Sequence, residues 1–274
     1  MTPSPTERAE IAAALAEIAC AAGEVLRAHH GGPCAHHLKE DGSPASVADL
    51  ESEQLILAAL AARWPGIPVI AEETCRAVRP APLFFLVDPL DGTREFLARS
   101  PEYAVNIALV AGERPVAAAL AAPGLGRVWF AGDTAREAPV VEGRPGADRA
   151  VRVRAAPAEG LTALVSGRHG DAATEACLAA LPVAGRRGAG SALKFGLVAC
   201  GEADLYVRCG PTMEWDTAAG DHIVAAAGGA VVTPDGGPIR YGGHGDGYRN
   251  GPFAALGDRG LGERIAERIA LAAG

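Results

Sequence analysis

A chain of 274 residues with 49% hydrophobic residues can bury the core of one large domain or two ordinary ones. Its formal net charge of -8 excludes broad binding to a nucleic-acid polymer, which requires a basic surface to displace counterions. The longest apolar runs, such as Val116 to Ala122, are far too short for a bilayer span, Met1-Thr2-Pro3-Ser4-Pro5 has no basic segment followed by an apolar one, and the six cysteines form no Cys-x-x-Cys pair. These features place the chain in a reducing cytoplasm without an integral membrane segment, peripheral membrane association being left open. An acidic protein can still take a small polyanion where divalent cations invert the local field.

Ser4-Pro5-Thr6-Glu7 has the form of a capping box with proline in the first turn. The helix it opens carries Ile11, Leu15, Ile18 and Ala22, followed by Val25 or Leu26, at helical spacing until Gly31-Gly32-Pro33. After the polar loop Lys39 to Pro44, a second helix is expected from Val47 to Arg63, stopped by Trp64-Pro65-Gly66. Pro68 to Ala71 and Leu83 to Val87 read as buried strands. Tyr103 to Val110, Val116 to Ala122 and Arg127 to Phe130, separated by Gly-Glu-Arg-Pro and Pro-Gly-Leu-Gly turns, read as an antiparallel meander.

Gly132 to about Glu159 shows little periodicity and is the expected junction between an N-terminal α+β half, 1–150, and a C-terminal α/β half, 151–274. In the second half, strands near Leu161 to Val165, Asp204 to Arg208 and Ala230 to Thr233 alternate with helices near Ala172 to Ala180, Ser191 to Cys200 and Asp216 to Ala227.

The chemistry gathers where Leu83 to Val87 runs into Asp88-Pro89-Leu90-Asp91-Gly92-Thr93. Pro89 cannot continue a central ladder, so the chain leaves the sheet beside Asp88, and Asp88, Asp91 and the Leu90 carbonyl offer hard oxygen ligands suited to Mg2+. Gly92 permits close approach of a ligand, and a short helix starting at Thr93 would aim free N–H groups at an anion in the same place. Glu72, directly after another strand, is expected at the same sheet edge. Asp49 and Asp216 taken singly read as helix caps.

Three other chemistries each lack part of their pattern. Asp88-x-x-Asp91 is one residue too long for the aspartyl nucleophile of haloacid-dehalogenase-type phosphatases, and Ser191-Ala192-Leu193-Lys194 lacks the companion motifs of a Ser-x-x-Lys nucleophile. His29, His30, Cys34, His36 and His37 lack the spaced pairs of a structural zinc site and read as a solvated loop whose role stays open.

Taken in order, the Ser-Pro-x-Ser-x-x-Asp segment ending at Asp49, the Glu72-Glu73 pair, Asp88 to Thr93 and Trp215 to Gly220 resemble the magnesium-dependent, lithium-sensitive phosphatases that include inositol monophosphatase, almost end to end. Within that superfamily, Thr93-Arg94-Glu95-Phe96, Gly190 to Phe195 and Gly210 to Ala219 are similar to the 3'(2'),5'-bisphosphate nucleotidases. Ser166-Gly167-Arg168-His169 departs from that branch's Ser-Arg-Ser-His.

The resemblance implies a layered αβαβα sandwich and hydrolysis of the 3'-phosphate of adenosine 3',5'-bisphosphate to AMP, with its 5'-phosphosulfate analogue as a second substrate and a place in sulfur metabolism. It assigns Glu72, Asp88 and the Leu90 carbonyl to one Mg2+ and Asp88, Asp91 and Asp216 to a second, with a third ion near Glu72 left open. It makes Asp49 and Thr93 catalytic and the Gly92 and Thr93 amides phosphate-binding, and it puts Lys194, Ser191 and Glu214 against the nucleotide. No phosphoenzyme is expected. The partner is a small phosphorylated nucleotide, and a homodimer is left open. Inositol phosphate, a sugar phosphate or NADP stands as the alternative substrate, and a non-catalytic nucleotide sensor as the remote alternative.

Overall fold

The computed structural model describes residues 2–32, 34–38, 44–74, 80–167, 170–243 and 247–273, so Arg168, His169 and Lys39 to Ser43 lie outside the described residues. Helices α1 (Pro5–His29) and α2 (Val47–Arg63) flank a ribbon of β1 (His36–Leu38) and β2 (Pro44–Ser46). The capping box is present: Glu7 N donates to Ser4 Oγ at 3.4 Å, and Ser4 N donates to Glu7 Oε2 at 2.7 Å. Next come β3 (Val69–Ala71), β4 (Leu83–Asp91), the short helix α3 (Thr93–Leu97), β5 (Ala104–Ala111), β6 (Arg114–Ala122) and β7 (Arg127–Ala131).

These strands form the meander expected from the turns, in the order β7-β6-β5-β4-β3, with β3 running parallel to β4 at the edge. The stretch after Gly132 corrects the sequence reading, because it adds β8 (Ala135–Val141), β9 (Arg144–Pro145) and β10 (Arg149–Ala150) to the far edge of the first sheet.

The second half contributes β11 (Leu161–Val165), α4 (Ala172–Ala179), β12 (Val183–Gly188), α5 (Leu193–Ala199), β13 (Leu205–Arg208) and β14 (Thr212–Met213). It ends with α6 (Glu214–Ala226), β15 (Ala230–Val232), β16 (Arg249–Asn250), β17 (Phe253–Leu256) and α7 (Gly262–Ala273). Its main sheet runs β12-β11-β13-β17-β15, while β14 pairs with β16.

Side-chain alternation sorts the core into layers. Phe85, Val87, Ile107 and Leu109 face α1 and α2, whereas Phe84, Leu86, Ala108 and Val110 face the opposite way into a core shared with α5, α6 and the inner face of the second sheet. Ala163, Leu205 and Leu256 on the outer face of that sheet pack against α4 and α7 through Leu178, Ile265 and Ile269. The result is the αβαβα sandwich. Among the described residues no helix is long and apolar enough to cross a membrane.

Helices α5 and α6 are squeezed between two sheets, which requires small residues at their contacts. A Cβ on Gly196 would stand 2.6 Å from the ring of Trp129, itself fully buried, and one on Gly220 would collide with the Phe195 ring. Gly196→Ala should therefore destabilise the fold by about 1–3 kcal/mol, read as a fall of several degrees in melting temperature. An unchanged melting curve would show that Trp129 is free to move.

Candidate active site

Glu72 extends the parallel pairing of β3 with β4, its N–H donating to the Val87 carbonyl at 3.1 Å, so it emerges beside Asp88. The β4–β5 register breaks between Asp88 and Asp91, where Pro89 has no donor to give. Ser52 Oγ of α2 donates to the Pro89 carbonyl at 2.9 Å, and Leu90 N donates to Asp88 Oδ1 at 3.0 Å, so this bulge is held from two sides.

Gly92 follows with φ +89°, and a Cβ there would approach the Glu102 carbonyl and the Ser191 Cβ, each at 3.2 Å. The chain then turns into α3, and Thr93 Oγ1 lies 3.2 Å from both Asp49 Oδ1 and the Leu90 carbonyl oxygen. Asp49 is fully buried in the first turn of α2, with its other oxygen accepting from Ser46 N at 2.8 Å and Ser46 Oγ at 2.5 Å.

The second half closes this corner. Asp91 Oδ2 accepts from Ser191 Oγ at 2.7 Å and from Ala192 N at 2.6 Å. Ser191 has φ +54°, which explains why α5 begins at Leu193 rather than at Ser191. Lys194 is no helix-surface lysine. It is 4% exposed, donates to the Ser191 carbonyl at 2.7 Å and the Ala189 carbonyl at 3.1 Å, and lies 4.8 Å from the centre of the Tyr206 ring. Asp216, in the first turn of α6, accepts from Met213 N at 2.8 Å.

A cleft of about 480 Å³ joins these groups. Glu72, Asp88, Leu90, Asp91 and Asp216 line it, together with Gly92, Thr93, Ser191 and Lys194. Arg94 and Glu95 line it as well. Two sequence-identified residues lie behind the lining. Asp49 reaches the cleft through Thr93, and the buried Glu214 turns away to accept from Gly242 N and Gly243 N, each at 2.7 Å.

Tyr206 and Arg208 also line the cleft, although motif spacing does not single them out. Their signal in the sequence is position, since Leu205 to Arg208 is a second strand that ends toward the same edge. Glu53 is another residue without a motif signal; it is buried on α2 and accepts from Glu73 N at 3.0 Å, steadying the loop that carries Glu72.

Charge is unbalanced here. Burial, and then the charges of Glu72, Asp91 and Asp216, push the Asp88 carboxyl well above its ordinary value of 3.8. Asp216 is pushed the same way by burial and by Asp91 and Glu72, with Arg208 opposing. Burial lowers Lys194 to about 8 against the pull of Asp91. Such buried like charges fit a divalent cation.

Elsewhere among the described residues, atoms of Glu137, Cys200 and Glu202 meet within 4.8 Å of one another. That set is already matched by cations, since Arg127 and Arg187 pair with Glu202 at 2.6 and 3.2 Å and Arg149 pairs with Glu137 at 2.5 Å. It is an ion-pair cluster tying β8 to the end of α5. Two residues of the histidine-rich stretch also have partners: His29 Nε2 lies 2.8 Å from Glu51 Oε2 and His30 Nε2 lies 3.0 Å from the Ser100 carbonyl oxygen.

The model of the inositol monophosphatase family matches residues 7–270. The 3'(2'),5'-bisphosphate nucleotidase CysQ of Salmonella typhimurium is 38% identical over 221 residues, covering 79% of this chain and 87% of that protein. The protein of that name in Escherichia coli K12 is 36% identical over 206 residues, covering 74% and 81%. Among solved structures, CysQ from Bacteroides thetaiotaomicron, a bacterial member of that family, matches with TM-score 0.77 at 31% identity over 91% of this chain and 98% of its own. An IMPase of Thermotoga maritima gives TM-score 0.77 at 20% identity over 97% and 98%, a likeness of fold alone.

The raised carboxyl groups make stability depend on pH in a definite direction. A carboxyl whose folded-state pKa exceeds its unfolded value binds more protons when folded, so the contribution of Asp88 and Asp216 to metal-free stability falls as pH rises from 3.8 through their raised values. Buried His222, lowered to about 4, contributes the opposite slope up to its ordinary 6.5, so the fall is read as a difference: either Asp216→Asn or saturating Mg2+ should make the melting temperature fall less, or rise more, with pH from about 4 upward. A slope that neither change affects would place the coupling elsewhere.

Proposed function

We propose, for a chain that belongs to the inositol monophosphatase family, that it is the bisphosphate nucleotidase of that family and removes the 3'-phosphate of adenosine 3',5'-bisphosphate to give AMP and inorganic phosphate. The chain is a phosphatase, a phosphoric monoester hydrolase. The observation that carries the reading is the cleft in which Glu72, Asp88, Asp91 and Asp216, from both halves, gather with a Thr93 hydroxyl hydrogen-bonded to buried Asp49. The named nucleotidase relatives, and the guanidinium groups of Arg94 and Arg208 in the cleft lining, favour a substrate with a second phosphate over inositol monophosphate.

The buried, mutually repelling carboxylates fit bound Mg2+. Glu72, Asp88 and the Leu90 carbonyl would hold one ion, and Asp88, Asp91 and Asp216 a second. The ions supply acidity to an attacking water and charge stabilisation to the departing ribose oxygen.

The protein's own groups orient that chemistry. Thr93 Oγ1 donates to Asp49 and so turns a lone pair outward to accept a hydrogen bond from the water. Because Asp49 is fixed by two contacts from Ser46, the hydroxyl keeps its direction. Main-chain amides at Gly92 and Thr93 grip the phosphate as negative charge moves across it. Ser191, fixed by Lys194, keeps Asp91 aimed into the cleft. The nucleophile is water, and no phosphoenzyme forms. The described cysteines are all free thiols, which supports a reducing cytoplasm as the setting.

Phosphate release from adenosine 3',5'-bisphosphate should require Mg2+ and be suppressed by lithium, and it should exceed release from inositol 1-phosphate and NADP in a parallel panel. Faster turnover of inositol 1-phosphate than of the nucleotide would overturn the substrate assignment. Thr93→Ala should lower kcat by about 10²–10⁴ while KM changes little, because the hydroxyl acts on the water rather than on the bound nucleotide. A change confined to KM would remove Thr93 from the chemical step.

A further inference from the structure

Asn106 of β5 is 1% exposed, and neither its amide nitrogen nor its amide oxygen has a hydrogen-bond partner among the described residues. A buried amide without partners costs stability, and an apolar side chain would avoid that cost. Its position gives it a purpose. In the sheet register Asn106 stands opposite Asp88 on one side and opposite Leu120 on the other. Leu120 has no polar side-chain atom, so Asp88 is the cross-strand neighbour with which the amide can bond.

Residues paired across an antiparallel ladder put their side chains on one face, with Cβ atoms about 4.5–5.5 Å apart. That face is the one where Ala104, Ala108, Phe84 and Leu86 pack toward α6, the helix that carries Asp216. Asp88 is turned into its own bulge, its Oδ1 accepting from Leu90 N at 3.0 Å.

We propose that Asn106 is a positioning residue for the cation-binding carboxylates: in the loaded site its side-chain amide donates to Asp88 and holds that carboxylate in the orientation in which it ligates a divalent cation. The inference rests on the metal site proposed above. A side chain held in reserve for the loaded site leaves two marks that an ordinary core asparagine would not. Its removal weakens cation binding without lowering metal-free stability, and its amide protons respond when the cation arrives.

The test is calorimetric titration of metal-free protein with Mn2+, on the parent chain and on Asn106→Leu and Asn106→Ser, with metal-free melting temperatures measured alongside. The parent binds Mn2+, both variants bind it at least fivefold more weakly, and neither melts lower than the parent by more than about 2 °C. In the parent, the side-chain amide resonances of Asn106 shift on saturation with Mg2+. Unchanged Mn2+ affinity in both variants, with or without a fall in melting temperature, overturns the inference while leaving the metal site standing. A parent that binds no Mn2+ overturns the metal site itself, and the role of Asn106 with it. If Asn106→Leu fails to fold through crowding, the smaller Asn106→Ser decides.

Discussion

Asp88 and Asp91 at the end of β4 and Asp216 in the first turn of α6 reach one cleft although their charges repel, and each is held there by a main-chain N–H: Leu90 for Asp88, Ala192 for Asp91 and Met213 for Asp216. Those donors fix the direction of each carboxylate, which side-chain donors on flexible stems would do less well. Much of the surrounding structure serves to keep these amides in place. Ser52 ties the bulge at Pro89 to α2, Lys194 pulls the 189–191 loop inward, and Glu214 anchors the 242–243 turn beside the start of α6. The same buried like charge fits a small cation of high charge.

The layered architecture supplies the stiffness that such a site requires. Helix α6 lies between two sheets, and Arg114 of β6 crosses to its Asp221, which also accepts from Tyr241. Asn250 bonds the Met213 carbonyl and the Thr217 hydroxyl, so the first turn of α6 is fixed at both ends of its hydrogen-bond pattern. Little in this arrangement can slide, and Asp216 keeps its distance from the Asp88–Asp91 bulge.

Local signals made much of the first half legible. The capping box at Ser4, the proline and glycine that stop α2, and the short turns of the meander act within a few residues of where they are read. The carboxylate corner was legible for the same reason, since Pro89 must break the ladder where Asp88 ends it. What stayed hidden depends on distant partners. Strands β8 to β10 read as a junction because their alanines, prolines and charges carry no clean alternation. Lys194 and Glu214 sit in matched motifs and look like substrate contacts, yet the groups their side chains satisfy, a loop carbonyl pair and two glycine amides, cannot be inferred from spacing. Asn106 gives no signal at all in a run of apolar residues until the register puts it beside Asp88.

The central core is shared. Phe84, Leu86, Ala108 and Val110 of the first sheet pack with Leu193, Phe195, Ile223 and Val224 from α5 and α6. During synthesis that face of the first sheet remains uncovered until residues beyond 200 have left the ribosome, an interval in which a broad apolar strand surface is open to other nascent chains. The order of the chain thus sets a window of vulnerability to misassembly, one that closes only when Asp216, the last of the cleft carboxylates, has also been made.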